Sequence, residues 1–259
     1  MGLFGKKYCD ICGKKIGLFG TKKIEDGNIC GDCADRLSPW FDGRRHSTLE
    51  EIRQQLAYRE ENKKAVAAFR QTLQLGDYYR ILLDENAGTF MVVRESQLYM
   101  LETVNPDVFR LSDIKDARLN ITDTRSELYT TDREGNKEPY NPRRFRYTYR
   151  FYLHIDMEHP YVDDIEFQLN EYPLEIEGPE RSYSLFGGGF NPTRDYDYRS
   201  LKRMGEEIVG KLLNGRQQAE EEEEKTPEPA SQPGGDTCPY CGSPVNGGNF
   251  CENCGAKLR

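Results

Sequence analysis

All eight cysteines fall in C-x-x-C pairs: Cys9/Cys12, Cys30/Cys33, Cys238/Cys241 and Cys251/Cys254. Two intervening residues let the backbone fold into a tight knuckle that brings both sulfurs to one metal ion, and two knuckles complete a tetrahedron. The first two pairs are spaced C-x2-C-x17-C-x2-C and the last two C-x2-C-x9-C-x2-C. The longer span lies in the usual zinc range, and the shorter is that of a zinc ribbon. An even cysteine count in an exported chain would suggest disulfides, but MGLFGKKYCD contains no apolar run of signal-peptide length. Thioredoxin-like redox chemistry needs one pair in a βαβ setting, which neither end offers, and iron–sulfur ligation is the remaining alternative. The expectation is two structural zinc ions. Four thiolates fill the coordination sphere and leave no open position for water or substrate, so these sites are expected to be noncatalytic.

The local elements that must position these sulfurs differ between the two ends. Gly13, Gly242 and Gly255 each follow the second cysteine of a pair, where the chain turns away. Cys33 is followed instead by ADRLSP, so Cys30 and Cys33 are expected to open a short helix whose N-terminal dipole favours thiolate. A knuckle, a hairpin over Lys22 to Ile29 turning at Asp26-Gly27, and that helix make a treble-clef-like finger over residues 1–40. Residues 237–259 read as a two-knuckle zinc ribbon. Segments this short rarely fold on apolar burial, whereas structural zinc supplies roughly 10 to 16 kcal/mol of apparent binding free energy coupled to folding.

Between the ends the apolar period changes twice. Ser47 and Glu50 stand at capping-box spacing, Leu49, Ile52 and Leu56 recur at helical spacing, and Gly76 supplies a stop. A connecting helix is expected over 47–76, weakened near Arg59 to Lys64, where the apolar stripe lapses. YYRILLD and TFMVVRE flank Glu85-Asn86-Ala87-Gly88 as a hairpin, and Ala117, Leu119 and Ile121 mark another strand. In RRFRYTYRFYLHIDM, the odd-numbered residues Phe145 to Met157 are apolar or aromatic and their neighbours polar, so one face is expected to be buried. Ile165, Phe167 and Leu169 repeat the pattern after a turn near Glu158-His159-Pro160. A final helix is expected from an Asn191 cap and Pro192, through Leu201, Met204, Ile208 and Leu212, to a stop at Gly215. Residues 77–215 thus read as an antiparallel α+β domain closed by a C-terminal helix. Residues 216–236, with five consecutive glutamates and several Pro and Gly, read as a disordered acidic linker.

Hydrophobic residues are 36% of the chain against 31% charged, so part of it must lie outside any packed core. A formal charge of −8 argues against nonspecific binding to nucleic acid or anionic membrane, which rests on neutralising phosphate with Lys and Arg. Arg143, Arg144, Arg146 and Arg150 interleave with aromatics, but the alternation that exposes them buries the rings that would stack on bases. Asp164 and Glu166 are expected to pair with them across the sheet. His154, Asp156, Glu158, His159, Asp163 and Asp164 form the His/carboxylate cluster, and a His154/Asp164 pair is the candidate for a hydrolase. LFGGGFNP lacks the G-K-[ST] ending of a phosphate loop and reads as a connection. No segment approaches the ~18 apolar residues of a membrane span, and a cytoplasmic location is expected.

CDICGKKIGLFGTKKIEDGNICGDCADRLSPW resembles the N-terminal finger of an uncharacterised bacterial family catalogued as domain of unknown function 4428. The C-x-x-C-G-K-K knuckle, the D-G-x-I-C turn and the L-S-P close carry that likeness. CPYCGSPVNGGNFCENCGAKL resembles the zinc-ribbon tails of many bacterial proteins, and the middle is similar in outline to bacterial pleckstrin-homology-like domains. These resemblances imply metal binding and no defined activity. The resulting expectation is a noncatalytic zinc-binding interaction or adaptor protein with a protein partner. The alternatives are a nucleic-acid-associated or redox-regulatory zinc protein and, third, the hydrolase.

Overall fold

The computed structural model describes residues 7–17, 20–180, 190–225, 236–237 and 244–245. Two compact units divide the chain, Met1–Ala219 and Glu220–Arg259. The first unit begins with two small hairpins, β1 (Lys7–Tyr8) with β2 (Lys15–Ile16) and β3 (Lys22–Lys23) with β4 (Asn28–Ile29), followed by the single-turn helix α1 (Gly31–Ala34).

Helix α2 (Leu49–Ala68) starts one residue later than the spacing suggests. Thr48 rather than Ser47 is the cap: its hydroxyl accepts from the Glu51 N–H at 3.3 Å, and the Glu51 carboxylate accepts from the Thr48 N–H at 2.7 Å. The Asp26 carboxylate takes the Leu49 N–H at 2.7 Å, which competes successfully for the same helix start and ties it to the β3–β4 turn. The helix does not weaken at Arg59 to Lys64. Its buried face runs Ile52, Gln55, Leu56, Arg59, Asn62 and Val66, an uninterrupted helical stripe whose middle is polar. Arg59 and Asn62 are satisfied by the segment Asn105 to Val108, whereas the buried Gln55 amide makes no hydrogen bond among the described residues. Arg59 pairs with Asp107 at 2.5 Å and also donates to the Asn105 carbonyl. Asn62 donates to Asn105 Oδ1 at 2.8 Å and to the Pro106 carbonyl at 2.7 Å, and accepts from the Val108 N–H at 2.9 Å.

Gly76 does not stop this helix. It ends β5 (Leu73–Gly76), the first strand of a four-stranded antiparallel sheet with β6 (Tyr79–Asp84), β7 (Thr89–Arg94) and β8 (Phe109–Arg110), in that order. The β6–β7 hairpin pairs Asp84 with Thr89 around the expected turn. Both its faces are buried: Ile81, Leu83, Phe90 and Val92 look into the main core, while Leu82, Met91 and Val93 are covered by Phe69, Leu98, Leu101 and Val108. Leu101 belongs to the short helix α3 (Leu101–Val104).

The second sheet is built on β12 (Phe145–His159). Strand β9 (Ile114–Glu127) pairs along one edge; β13 (Val162–Gln168) and β14 (Leu174–Gly178) share the other. Between β13 and β14, the buried Asn170 takes over the ladder: its Oδ1 accepts the Phe151 N–H at 3.1 Å and its amide donates to the Tyr172 carbonyl at 2.7 Å. A small hairpin, β10 (Tyr129–Thr131) with β11 (Lys137–Pro139), precedes β12. Along β12 every odd residue from Phe145 to Met157 is buried, as the alternation requires.

Helix α4 (Tyr196–Lys225) packs Ile208 and Leu212 into the core between the sheets. Asn191 and Pro192 open a separate 3-10 turn (Pro192–Arg194), and Asp195 caps α4 by accepting the Tyr198 N–H at 2.9 Å. Gly215 does not end the helix, which runs ten residues into the stretch expected to be a disordered linker. Glycine serves here for contact: a Cβ at Gly215 would stand 2.8 Å from Leu111, and one at Gly205 2.6 Å from Leu119. Arg216 donates to the Lys115 carbonyl at 2.6 Å and Ala219 packs on the core, so the helix continues into Gln and Glu residues of good helix propensity. The second unit contributes, besides the end of α4, the antiparallel pair β15 (Asp236–Thr237) and β16 (Pro244–Val245).

Asp107 is fully buried, and burial pushes its carboxyl above the usual range against the opposing pull of Arg59 and Ser38. Arg59→Ala is therefore expected to cost about 3–5 kcal/mol, because it strands a buried carboxylate. Arg36→Ala, which severs an exposed pair with Glu60, should leave the urea midpoint unchanged. His159 lies against Tyr58 and Phe109, its Nδ1 accepts the Tyr161 N–H at 3.3 Å, and burial holds its pKa below the ordinary imidazole value despite Asp113 and Asp107. With the folded value depressed, its contribution to stability is fully present above about pH 6.5 and is lost as pH falls through the folded value. His159→Leu should flatten the stability–pH slope just below neutrality, measured by thermal unfolding across that range.

Candidate metal centre

The centre is assembled from two local structures held in register by backbone bonds. Cys9 and Cys12 sit in the turn of the β1–β2 hairpin, closed by Cys9 N–H to the Lys14 carbonyl at 2.9 Å and Gly13 N–H to the Cys9 carbonyl at 2.8 Å. Gly13 has φ +71°, a left-handed conformation the knuckle requires and a side chain would resist. Cys30 and Cys33 stand at the start of α1, where Cys30 is the N-cap and its carbonyl accepts the Ala34 N–H at 3.0 Å. The two halves are clamped by Asp10, whose N–H donates to the Asn28 carbonyl at 3.0 Å and whose carboxylate accepts the Asn28 N–H at 2.7 Å. This clamp escaped the sequence reading; a carboxylate directly after the first ligand was its one available signal.

The four sulfurs lie within 4.8 Å of one another. Zinc–sulfur bonds of about 2.3 Å place the corners of a tetrahedron about 3.8 Å apart, and the Cys12 and Cys30 sulfurs are 3.8 Å apart. The donor set fits one zinc ion, which in an all-cysteine sphere serves as a cross-link. The surroundings prepare the sulfurs unequally. Burial acts to raise the Cys9 thiol, but backbone N–H groups of Cys12, Cys30 and Ile11 and the Cys12 thiol bring it down to about 6. The Cys30 N–H reaches the Cys9 sulfur at 3.3 Å. Burial pushes Cys30 and Cys33 upward, the response of clustered thiols that cannot all carry charge without a cation between them. Cys9, Cys30 and Cys33 are buried and form part of the finger's core with Ile16, Ile24, Ile29, Leu37, Ile52 and Leu56. Cys12 is exposed.

Cys238, Cys241, Cys251 and Cys254 lie outside the described residues. Within residues 237–259 the described residues are Thr237, Pro244 and Val245, in the β15–β16 pair.

The other sequence candidates are arranged as surface networks. Arg143 pairs with Glu127 at 3.5 Å, Arg144 with Glu177 at 3.2 Å, and Arg146 with Glu175 and Glu177 at 3.4 and 3.1 Å. Asp164 and Glu166 are not their partners, because β13 and β14 divide one edge of β12: Arg144 and Arg146 meet the glutamates of β14, and Arg143 meets Glu127 of β9. Arg150 stands opposite Thr122. The register sets Glu166, not Asp164, opposite His154. His154 Nε2 is 2.8 Å from Asp156, and Nδ1 is 3.3 Å from Glu166 and 3.9 Å from Asp164. Arg118 bonds Asp156 and, ahead of His154, holds its carboxyl below the usual range. His159 belongs to the aromatic cluster, apart from His154, and Glu158 and Asp163 are exposed. Among the described residues, the four N-terminal cysteines are the one group whose ligand atoms converge closely enough to hold a metal ion. In LFGGGFNP, residues 185–189 lie outside the described residues, and Phe190 stacks on Tyr147 at 4.1 Å. No described helix is long and apolar enough to cross a membrane.

Residues 7–55 match the model of a protein family described as "Domain of unknown function (DUF4428)". The match extends past residue 40 into α2, consistent with Ile52 in the finger's core. Comparisons with curated proteins and with solved structures gave no match.

Cys33→Ser removes a buried ligand and should lower bound zinc by one equivalent per chain under reducing conditions, with a fall in the unfolding temperature. Lys14→Ala cuts only the exposed 2.6 Å pair with Asp32 and should leave the zinc content unchanged by elemental analysis.

Proposed function

We propose that this chain is a noncatalytic, zinc-stabilised interaction protein. The observation that carries the reading is the closed Cys9/Cys12/Cys30/Cys33 site, whose donor set fits zinc and occupies all four tetrahedral positions with protein sulfur. A second zinc is held by Cys238, Cys241, Cys251 and Cys254, whose spacing is that of a ribbon. Two antiparallel sheets followed by a closing helix support a pleckstrin-homology-like form for residues 77–215. The pairing of Arg143, Arg144 and Arg146 with glutamates supports a protein partner over nucleic acid. The C-terminal ribbon provides a second contact whose benefit comes through effective concentration.

Because α4 extends to Lys225, the informative truncation ends there rather than at Gly215. The full chain should carry two zinc per molecule and the truncated chain one. In affinity capture from the native cell, a partner retained by the full chain and lost with the truncation would identify the ribbon as the second contact. Equal zinc in the two forms, or equal capture, would exclude that role.

A further inference from the structure

The four sulfurs of the N-terminal centre are not equivalent, and the difference has chemical content. Cys9 is 2% exposed, Cys33 3% and Cys30 7%, whereas Cys12 opens to solvent. The Cys9 sulfur accepts a backbone N–H, which withdraws electron density and lowers its nucleophilicity. A small polar oxidant thus meets Cys12 first, and its sulfur stands 3.8 Å from that of Cys30, the least buried of the other three residues. We propose that the finger is a peroxide-responsive zinc switch in which Cys12 is the sulfur attacked and Cys30 the sulfur that resolves it. This rests on the zinc reading of the same site.

The chemistry balances as follows. The Cys12 thiolate attacks one oxygen of hydrogen peroxide; the O–O bond breaks, an S–O bond forms, and the departing hydroxide takes a proton to become water. The Cys30 thiolate then attacks the Cys12 sulfur, forming the disulfide and expelling the sulfenic oxygen as a second hydroxide, which is also protonated. Two electrons pass from the two sulfurs to the peroxide oxygens. The cation loses two of its four thiolates and is released. Cys9, Cys30 and Cys33 are themselves core residues beside Ile52 and Leu56, so release loosens the contact between the finger and α2.

The test uses the reduced, zinc-loaded full chain. Zinc is first measured by elemental analysis, and protection of each cysteine from alkylation is read by peptide mass spectrometry. Absence of zinc protection at Cys9, Cys12, Cys30 and Cys33 overturns the zinc reading and the switch with it. Where protection is present, hydrogen peroxide is added, zinc release is followed with a chromogenic chelator, and disulfides are mapped by fragmentation. A first-formed Cys12–Cys30 bond, appearing with loss of protection at Cys9 and Cys33, is the expected result. A first-formed Cys9–Cys12 or Cys30–Cys33 bond, or full protection persisting under peroxide, overturns the switch and leaves the zinc reading standing. Cys12→His keeps a ligand and should release zinc from this site about tenfold more slowly under the same peroxide. Release at the wild-type rate from a zinc-loaded Cys12→His chain would overturn the role of Cys12, and if that variant holds no zinc the wild-type disulfide map decides.

Discussion

The carboxylate of Asp107 is buried and bonded from two directions, by the Arg59 guanidinium at 2.5 Å and by the Ser38 hydroxyl at 2.7 Å. Arg59 belongs to α2, Ser38 closes the finger, and Asp107 lies in the chain leading to β8. One charged group thus fastens three parts of the first unit. A buried ion pair of this kind contributes little over an apolar contact of the same volume, but removing either partner leaves the other buried and uncompensated. The Asn62–Asn105 exchange beside it works in the same direction, since each amide is used by the other element. Trp40, just beyond Ser38, extends the junction by resting on the main core near Phe167.

This junction explains how a metal centre of so few residues becomes part of a larger body. The finger's apolar side chains are few, and three ligand cysteines are counted among them. Ile52 and Leu56 of α2 complete that core from outside the cysteine frame. The same helix, two turns later, is pinned by Arg59 and Asn62 to the Asn105–Val108 segment that leads into β8. A zinc ion held by the four cysteines would order the finger, and through Ile52 and Leu56 the start of α2, whose Arg59 and Asn62 join it to the Asn105–Val108 segment.

Some of this was legible in residue order. The strict alternation from Phe145 to Met157 identified a strand with one buried face, because a period of two has no other physical reading. The β6–β7 hairpin was legible from its turn residues and flanking apolar runs. Less legible was anything decided by a distant partner. Arg59 and Asn62 looked like a lapse in the apolar stripe, yet they are its continuation, made burial-compatible by Asp107 and Asn105 more than forty residues away. Gly215 looked like a helix stop, yet it is the point where α4 passes closest to Leu111. Nothing in residue order marks Asn170 as the residue that bridges the gap between two strands sharing an edge.

The cysteine spacing by itself marked Cys9, Cys12, Cys30 and Cys33 as a set whose sulfurs converge to fit one zinc ion. It could not determine which of them faces solvent. That depends on how β4 and α1 lie over the knuckle, through the Asp10–Asn28 clamp, and on how α2 closes the other side. Nor could it determine the fate of the charged candidates on β12: Arg146 and His154 share a strand face, but pairing across strands gave the first Glu175 and Glu177 and the second Glu166, beside Asp156 of its own strand. Sequence fixes what a side chain can bond to; register and packing, which bring residues far apart in the chain to within 3 Å or so, select the partner from that set.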